Sequence, residues 1–208
     1  MHAGERLNSI THLVGAYLAL IGFGALLTVS IQDGSPWMIA GFTVFGCSLT
    51  LLYSMSTLYH SARSPKVKRV FQRLDHVSIY LLIAGTYTPY MLVSLRDGRG
   101  ALMMAVVWGL AVVGILMDAF AKVRRKAVAI TIYLVMGWVS VLEFDNLQDA
   151  LSSAGVTWLV AGGIAYTVGV IFYVMDAKNR MRHAHGIWHL FVLVGSGCHF
   201  ISILGYVR

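Results

Sequence analysis

His185 and His189 stand four residues apart in His185-Gly-Ile-Trp-His189, at the head of the last apolar segment of the chain. On a helix that spacing puts two imidazoles on one face about one turn apart, so their ring nitrogens can converge on a single metal ion. His60 closes an earlier apolar run with Ser56 one turn before it, and Asp75 and His76 open the next. Glu5, Asn8 and His12 share one face at the start of the first run through their i, i+3, i+7 spacing. Ionisable residues are costly inside a bilayer, so those found in apolar runs are candidates for function.

Three histidines from two runs with an open fourth position is the pattern of a catalytic zinc, since structural zinc closes its shell with four protein ligands. Such an ion lowers the pKa of a bound water toward about 7. Asp75 is expected to accept a hydrogen bond from that water and to act as general base. Ser56 would donate to a carbonyl or oxyanion, or bond back to its own helix. His76 follows Asp75 directly and points roughly 100° away from it, which makes it a poor ligand for the same ion. It is grouped with Glu5, Asn8 and His12 as a residue supporting the ligands, His12 through hydrogen bonding rather than coordination. His199 lies ten residues beyond His189, about 15 Å deeper, and is expected to be a satisfied histidine outside the site.

The elements that must carry these residues follow from composition. The 208 residues are 58% hydrophobic and only 12% charged, whereas soluble domains carry about 25% charge. Apolar runs of roughly 20 residues, each able to cross about 30 Å of hydrocarbon as a helix, fill the chain. Seven are predicted, at 10–29, 37–59, 76–95, 101–121, 127–144, 156–175 and 186–207, with turn-rich breaks at 32–36, 96–100 and 145–153. The expectation is one all-α domain, a seven-transmembrane-helix bundle over 1–208. Between the second and third spans, Ser64 is placed to cap a helix with Pro65 at its first position. Val67, Val70, Phe71 and Leu74 form a stripe beside Lys66, Lys68, Arg69 and Arg73, predicting a short interfacial helix over 64–75.

The net charge of +7 would suggest nucleic acid in a soluble protein, but here the basic residues sit in loops between spans. Arg6, then Arg63, Lys66, Lys68, Arg69 and Arg73, then Lys122, Arg124, Arg125 and Lys126, then Lys178, Arg180 and Arg182 share one side. Only Arg96, Arg99 and Arg208 fall on the other. The positive-inside rule puts the N-terminus in the cytoplasm and the C-terminus outside. The basic loops are expected to meet anionic lipid headgroups and no nucleic acid. The first apolar run is too long for a signal peptide and is expected to be retained. Cys47 and Cys198 fall in mid-span without metal or redox spacing and are expected to be packing residues. In the third span, Gly85-Thr86-Tyr87-Thr88-Pro89 predicts a close approach or kink with threonine hydroxyls bonding freed carbonyls.

Taken together, Glu5-x-x-Asn8 with Thr11-His12, Ser56-x-x-x-His60, Leu74-Asp75-His76 with Ala84-Gly85-Thr86-Tyr87-Thr88-Pro89, and His185-x-x-x-His189 resemble the signature blocks of the bacterial hemolysin III proteins. Those proteins belong to the progestin and adipoQ receptor (PAQR) superfamily, and the blocks run from the first span to the last. The resemblance implies a seven-helix protein of the bacterial plasma membrane with an inward N-terminus and zinc near its cytoplasmic end. It implies ligands at His60, His185 and His189, with Asp75 contacting zinc-bound water and Ser56 beside it. Adiponectin receptors of the superfamily are associated with ceramide hydrolysis, and alkaline ceramidases resemble distant kin. Those receptors carry tyrosine where this chain has His76, and a long N-terminal region that is not seen here, so hormone reception is not carried over. The leading expectation is a zinc-dependent hydrolase of a membrane lipid amide or ester, acting in lipid homeostasis. The alternatives are a non-enzymatic sensor with structural zinc and a pore-former causing cytolysis.

Overall fold

A computed structural model describes residues 4–120, 125–178 and 180–208. Among these every regular element is helical. Helix α1 is Arg6–Asp33 and α2 is Pro36–Ser61. Helix α3, Pro65–Pro89, runs on into a π-helical turn, Tyr90–Ser94. Helix α4 is Gly100–Phe120, and α5, Lys126–Trp138, continues through a 3-10 stretch, Val139–Glu143, into α6, Phe144–Ala150. Helices α7, Ser153–Ala177, and α8, Ala184–Tyr206, complete the chain. Seven helical stretches are long and apolar enough to cross a membrane, α5 to α6 counting as one. The protein is an all-α, multi-pass membrane bundle.

Two helix starts carry a side-chain cap, while at α3 Ser64 occupies the N-cap position ahead of Pro65 but its hydroxyl makes no capping bond. The Met38 amide donates to the Ser35 hydroxyl at 3.4 Å ahead of Pro36, and the Gly155 amide to the Ser152 hydroxyl at 3.3 Å. Gly34 adopts a left-handed φ of 80°, which lets α1 end two residues before α2 begins.

Two boundaries differ from expectation. The stripe over 64–75 is not a separate helix but the opening turns of α3, which passes through Asp75 and His76 without a break. Nothing between Pro65 and Ser78 interrupts the helical ladder, and a charge does not end a helix as glycine or proline does. The fifth span likewise runs on past 144: Asn146 donates to Glu143 in the tightened turn, and Asp145 sits in the first turn of α6. Ala121, Lys122 and Arg124, assigned to a span end and its basic loop, lie outside the described residues.

Helix α2 is flanked by α1 and α3, α8 packs between α1 and α7, and α4 and α5 close the far side against α3. Glycines permit the tight seams. A methyl on Gly41 would run into the Pro89 backbone, and one on Gly85 into the Ser48 hydroxyl. The Thr86 and Thr88 hydroxyls donate back to the Leu82 and Ala84 carbonyls of their own helix, not to the Gly85 carbonyl that Pro89 leaves without its amide donor. Helix α5 is loosely packed, with only Ala129 and Met136 buried. Cys47 is exposed, Cys198 is buried, and both are free thiols.

Candidate metal centre

Antiparallel alternation brings the start of α1, the end of α2, the start of α3, the end of α7 and the start of α8 to one end of the bundle. There, one ligand atom each from His60, His185 and His189 lies within 4.8 Å of the other two. His60 and His189 are buried and His185 is half-buried. The i, i+4 pair thus converges as its spacing predicts, and α2 supplies the third ring.

The outer nitrogen of each ring is engaged. His60 Nδ1–H donates to Glu5 Oε2, His185 Nδ1–H to Asp176 Oδ2 at 3.1 Å, and His189 Nδ1–H to the Asn8 carbonyl at 3.1 Å. Each donation assigns the proton to Nδ1, which leaves Nε2 with a bare lone pair in the neutral ring. All three Nε2 atoms are buried and lack a hydrogen-bond partner among the described residues. Buried polar atoms are almost always satisfied, so three orphaned lone pairs facing one another fit a cation. Imidazole with its far N–H on a carboxylate or carbonyl is the usual arrangement of a metal-bound histidine. The residues therefore fit a metal ion, and the donor set of three imidazoles suits zinc among other transition metals.

Glu5 ties the arrangement together from just outside α1. Oε1 accepts from Lys68 Nζ at 2.9 Å, and Asn8 Nδ2 donates to Oε2, the oxygen that also accepts from His60, at 3.1 Å. The His60 hydrogen bond, with Lys68 behind it, holds the Glu5 carboxyl well below the usual carboxylate range. Gly186 lets α8 approach α1, since a methyl there would strike Leu7. That approach is what allows His189 to reach Asn8.

The supporting residues differ in detail from their sequence assignment. Glu5 and the Asn8 carbonyl accept hydrogen bonds from His60 and His189, whereas His12 makes no hydrogen bond among the described residues; its ring stacks on His189 at 3.6 Å with an 8° tilt. The Ser56 hydroxyl is buried and does not bond back to its helix. Asp75 lies outside the triad and lines a cavity with His12 and Trp188, whose rings touch His189. The His76 carbonyl accepts from the Tyr133 hydroxyl at 3.0 Å. Sequence reasoning missed Asp176, a single acid at the end of an apolar helix. It also set Lys68 on a lipid-facing surface, whereas Lys68 turns inward to Glu5 and over the Tyr59 ring at 4.7 Å.

The cavity beside the triad has a volume of about 130 Å³ and is walled chiefly by apolar side chains of α3, α5, α7 and α8. A second lobe of about 70 Å³ continues it past His199 to Met91 and Leu147. The residues lining the two lobes run from Asp75 on α3 to Met91 in the π-helical turn after it, roughly 24 Å at the α-helical rise.

Comparison with known proteins agrees with this architecture. The profile of a family described as haemolysin-III related matches residues 2–200. A Bacillus cereus protein named hemolysin-3 is 43% identical over 204 residues, covering 98% of this chain and 91% of that one. A Bacillus subtilis (strain 168) hemolysin-3 homolog is 41% identical over 202 residues, covering 97% and 93%. A human protein named monocyte to macrophage differentiation factor is 27% identical over 205 residues, covering 96% and 83%.

Proposed function

The chain belongs to the haemolysin-III related family and is a multi-pass bacterial membrane protein, and from that premise we propose that it is a zinc-dependent hydrolase of a membrane lipid amide or ester. His60, His185 and His189 hold the ion. The observation that carries the reading is a cluster of three bare, buried imidazole nitrogens separated from an apolar cavity by His12 and Trp188, the two cavity-lining rings that lie against His189. Only an amphiphile arrives easily at such a place, its chain in the cavity and its carbonyl beside the triad.

A zinc ion held by three histidines supplies Lewis acidity, polarising a carbonyl and acidifying water at neutral pH. The rest falls to this chain's own groups. Asp75, at the head of the cavity, takes the proton of the attacking water on its carboxylate and returns it to the leaving amine or alcohol. The unbonded Ser56 hydroxyl donates to the carbonyl oxygen. Trp188 and Val192 wall the cavity and keep bulk water from the chain. The basic residues clustered at this end face the cytoplasm and meet anionic headgroups of the inner leaflet.

The test is release of fatty acid from a panel of N-acyl and O-acyl lipids by purified protein, read beside its zinc content. Wild type is expected to carry zinc and to turn over at least one lipid class. His60→Ala, and His185→Ala with His189→Ala, are expected to lose both. Undiminished turnover in the double variant overturns the reading. Zinc bound without turnover of any lipid favours a non-enzymatic regulator with structural zinc.

A further inference from the structure

His199 stands on α8 where the two cavity lobes meet and lines both. Its Nε2 lies 3.1 Å from the Leu159 carbonyl, an acceptor only, so Nε2 carries the proton. Nδ1 is then a bare acceptor, and it is buried with no partner among the described residues. The ring cannot easily swing away to find one. A methyl on Gly162 would collide with its Cδ2 and Nε2, and the Tyr166 ring lies against it at 5.4 Å. The Tyr166 hydroxyl is already committed to Ser196 at 2.6 Å.

A fixed, buried lone pair on a ring that borders an apolar cavity lacks a hydrogen-bond donor. We propose that His199 Nδ1 receives a hydroxyl carried partway along an acyl chain in the cavity, so that the protein selects hydroxylated chains over plain ones. A ketone or a double bond has no proton to give and gains nothing there. This rests on the reading that the lipid's chain lies in the cavity with its head at the triad; it does not require the lipid to be hydrolysed.

The position of the hydroxyl follows from α8. Ten residues of continuous helix separate His189 from His199, about 15 Å. An extended chain of ~1.5 Å bonds advances roughly 1.3 Å per carbon. The hydroxyl therefore belongs near roughly the twelfth carbon from the head.

The test is displacement of a fluorescent fatty acid from the full-length protein by octadecanoic acid and by its 2-, 7-, 12- and 17-hydroxy forms. The 12-hydroxy form is expected to compete about tenfold better than octadecanoic acid and than the other isomers, the worth of one buried hydrogen bond. In His199→Phe that advantage collapses while octadecanoic acid binds as before. The positional series in wild type stands by itself if the variant does not fold. A flat series, a preference that survives in a folded His199→Phe, or no displacement by any chain overturns the proposal. Loss of lipid hydrolysis with the hydroxyl preference intact removes only the hydrolase reading, and turnover with a flat series removes only this one.

Discussion

Glu5→Gln isolates the outer support of the metal centre from the ligands themselves. The carboxylate accepts His60 Nδ1–H and Asn8 Nδ2–H on one oxygen and Lys68 on the other. Glutamine offers one acceptor in place of two and points a donor at groups that are all donors. Outer partners of metal-bound histidines are worth about 10- to 100-fold in affinity, or about 1.4 to 2.7 kcal/mol. Glu5 is 22% exposed, against 42% for Asp176, whose bond to His185 water can more readily replace. Glu5→Gln is therefore expected near the upper end and Asp176→Asn near the lower. The assay is zinc occupancy across a series of buffered free-zinc concentrations, with elemental analysis of each protein. A second arm varies pH. Because the Glu5 carboxyl is held well below its usual range, its contribution persists above that range and fades only as pH falls through the depressed value. Zinc lost between about pH 6.5 and 5 then reports protonation of the imidazoles, which must be neutral to bind. The reasoning is refuted if folded Glu5→Gln keeps wild-type affinity while His60→Ala loses zinc, or if occupancy at pH 5 matches that at pH 7.

Two further outcomes are expected. Gly85→Ala sets a methyl against the Ser48 hydroxyl, 3.4 Å from the Val44 carbonyl; overpacking of this kind costs about 1 to 3 kcal/mol. It should lower the melting temperature without changing zinc affinity, since Gly85 lies ten residues along α3 from Asp75; an unchanged melting temperature would contradict the packing. A reporter fused after Arg208 is expected to be active only outside the cytoplasm, and activity confined to the cytoplasm reverses the proposed orientation.

The spans and the triad were legible in the sequence because each depends on one simple quantity. Run length against bilayer thickness fixes the spans, and helix alternation brings His60 to the level of His185 and His189. What was not legible depends on how helices face one another. Lys68 reads as a surface cation by its stripe, and only the angle at which α3 meets α1 turns it toward Glu5. Asp176 carries no spacing signal, since its partner is nine residues on, across the link between α7 and α8. His12 shares a face with Glu5 and Asn8, which suggests a hydrogen-bonded role, yet its neighbour is the flat face of His189. The 145–153 segment reads as a loop by composition, but Asn146 and Glu143 satisfy each other and allow the helix to continue.

The bond from His189 to the Asn8 carbonyl has a consequence for how the protein is made. Helix α8 is made after the other described helices, and it meets α1, the earliest of them, through His189, one of the two rings it contributes to the triad. Until α8 has been made, no nascent chain can present all three imidazoles, however many helices have entered the bilayer. A chain terminated before α8, though inserted, would lack two of the three imidazoles and could not assemble the cluster.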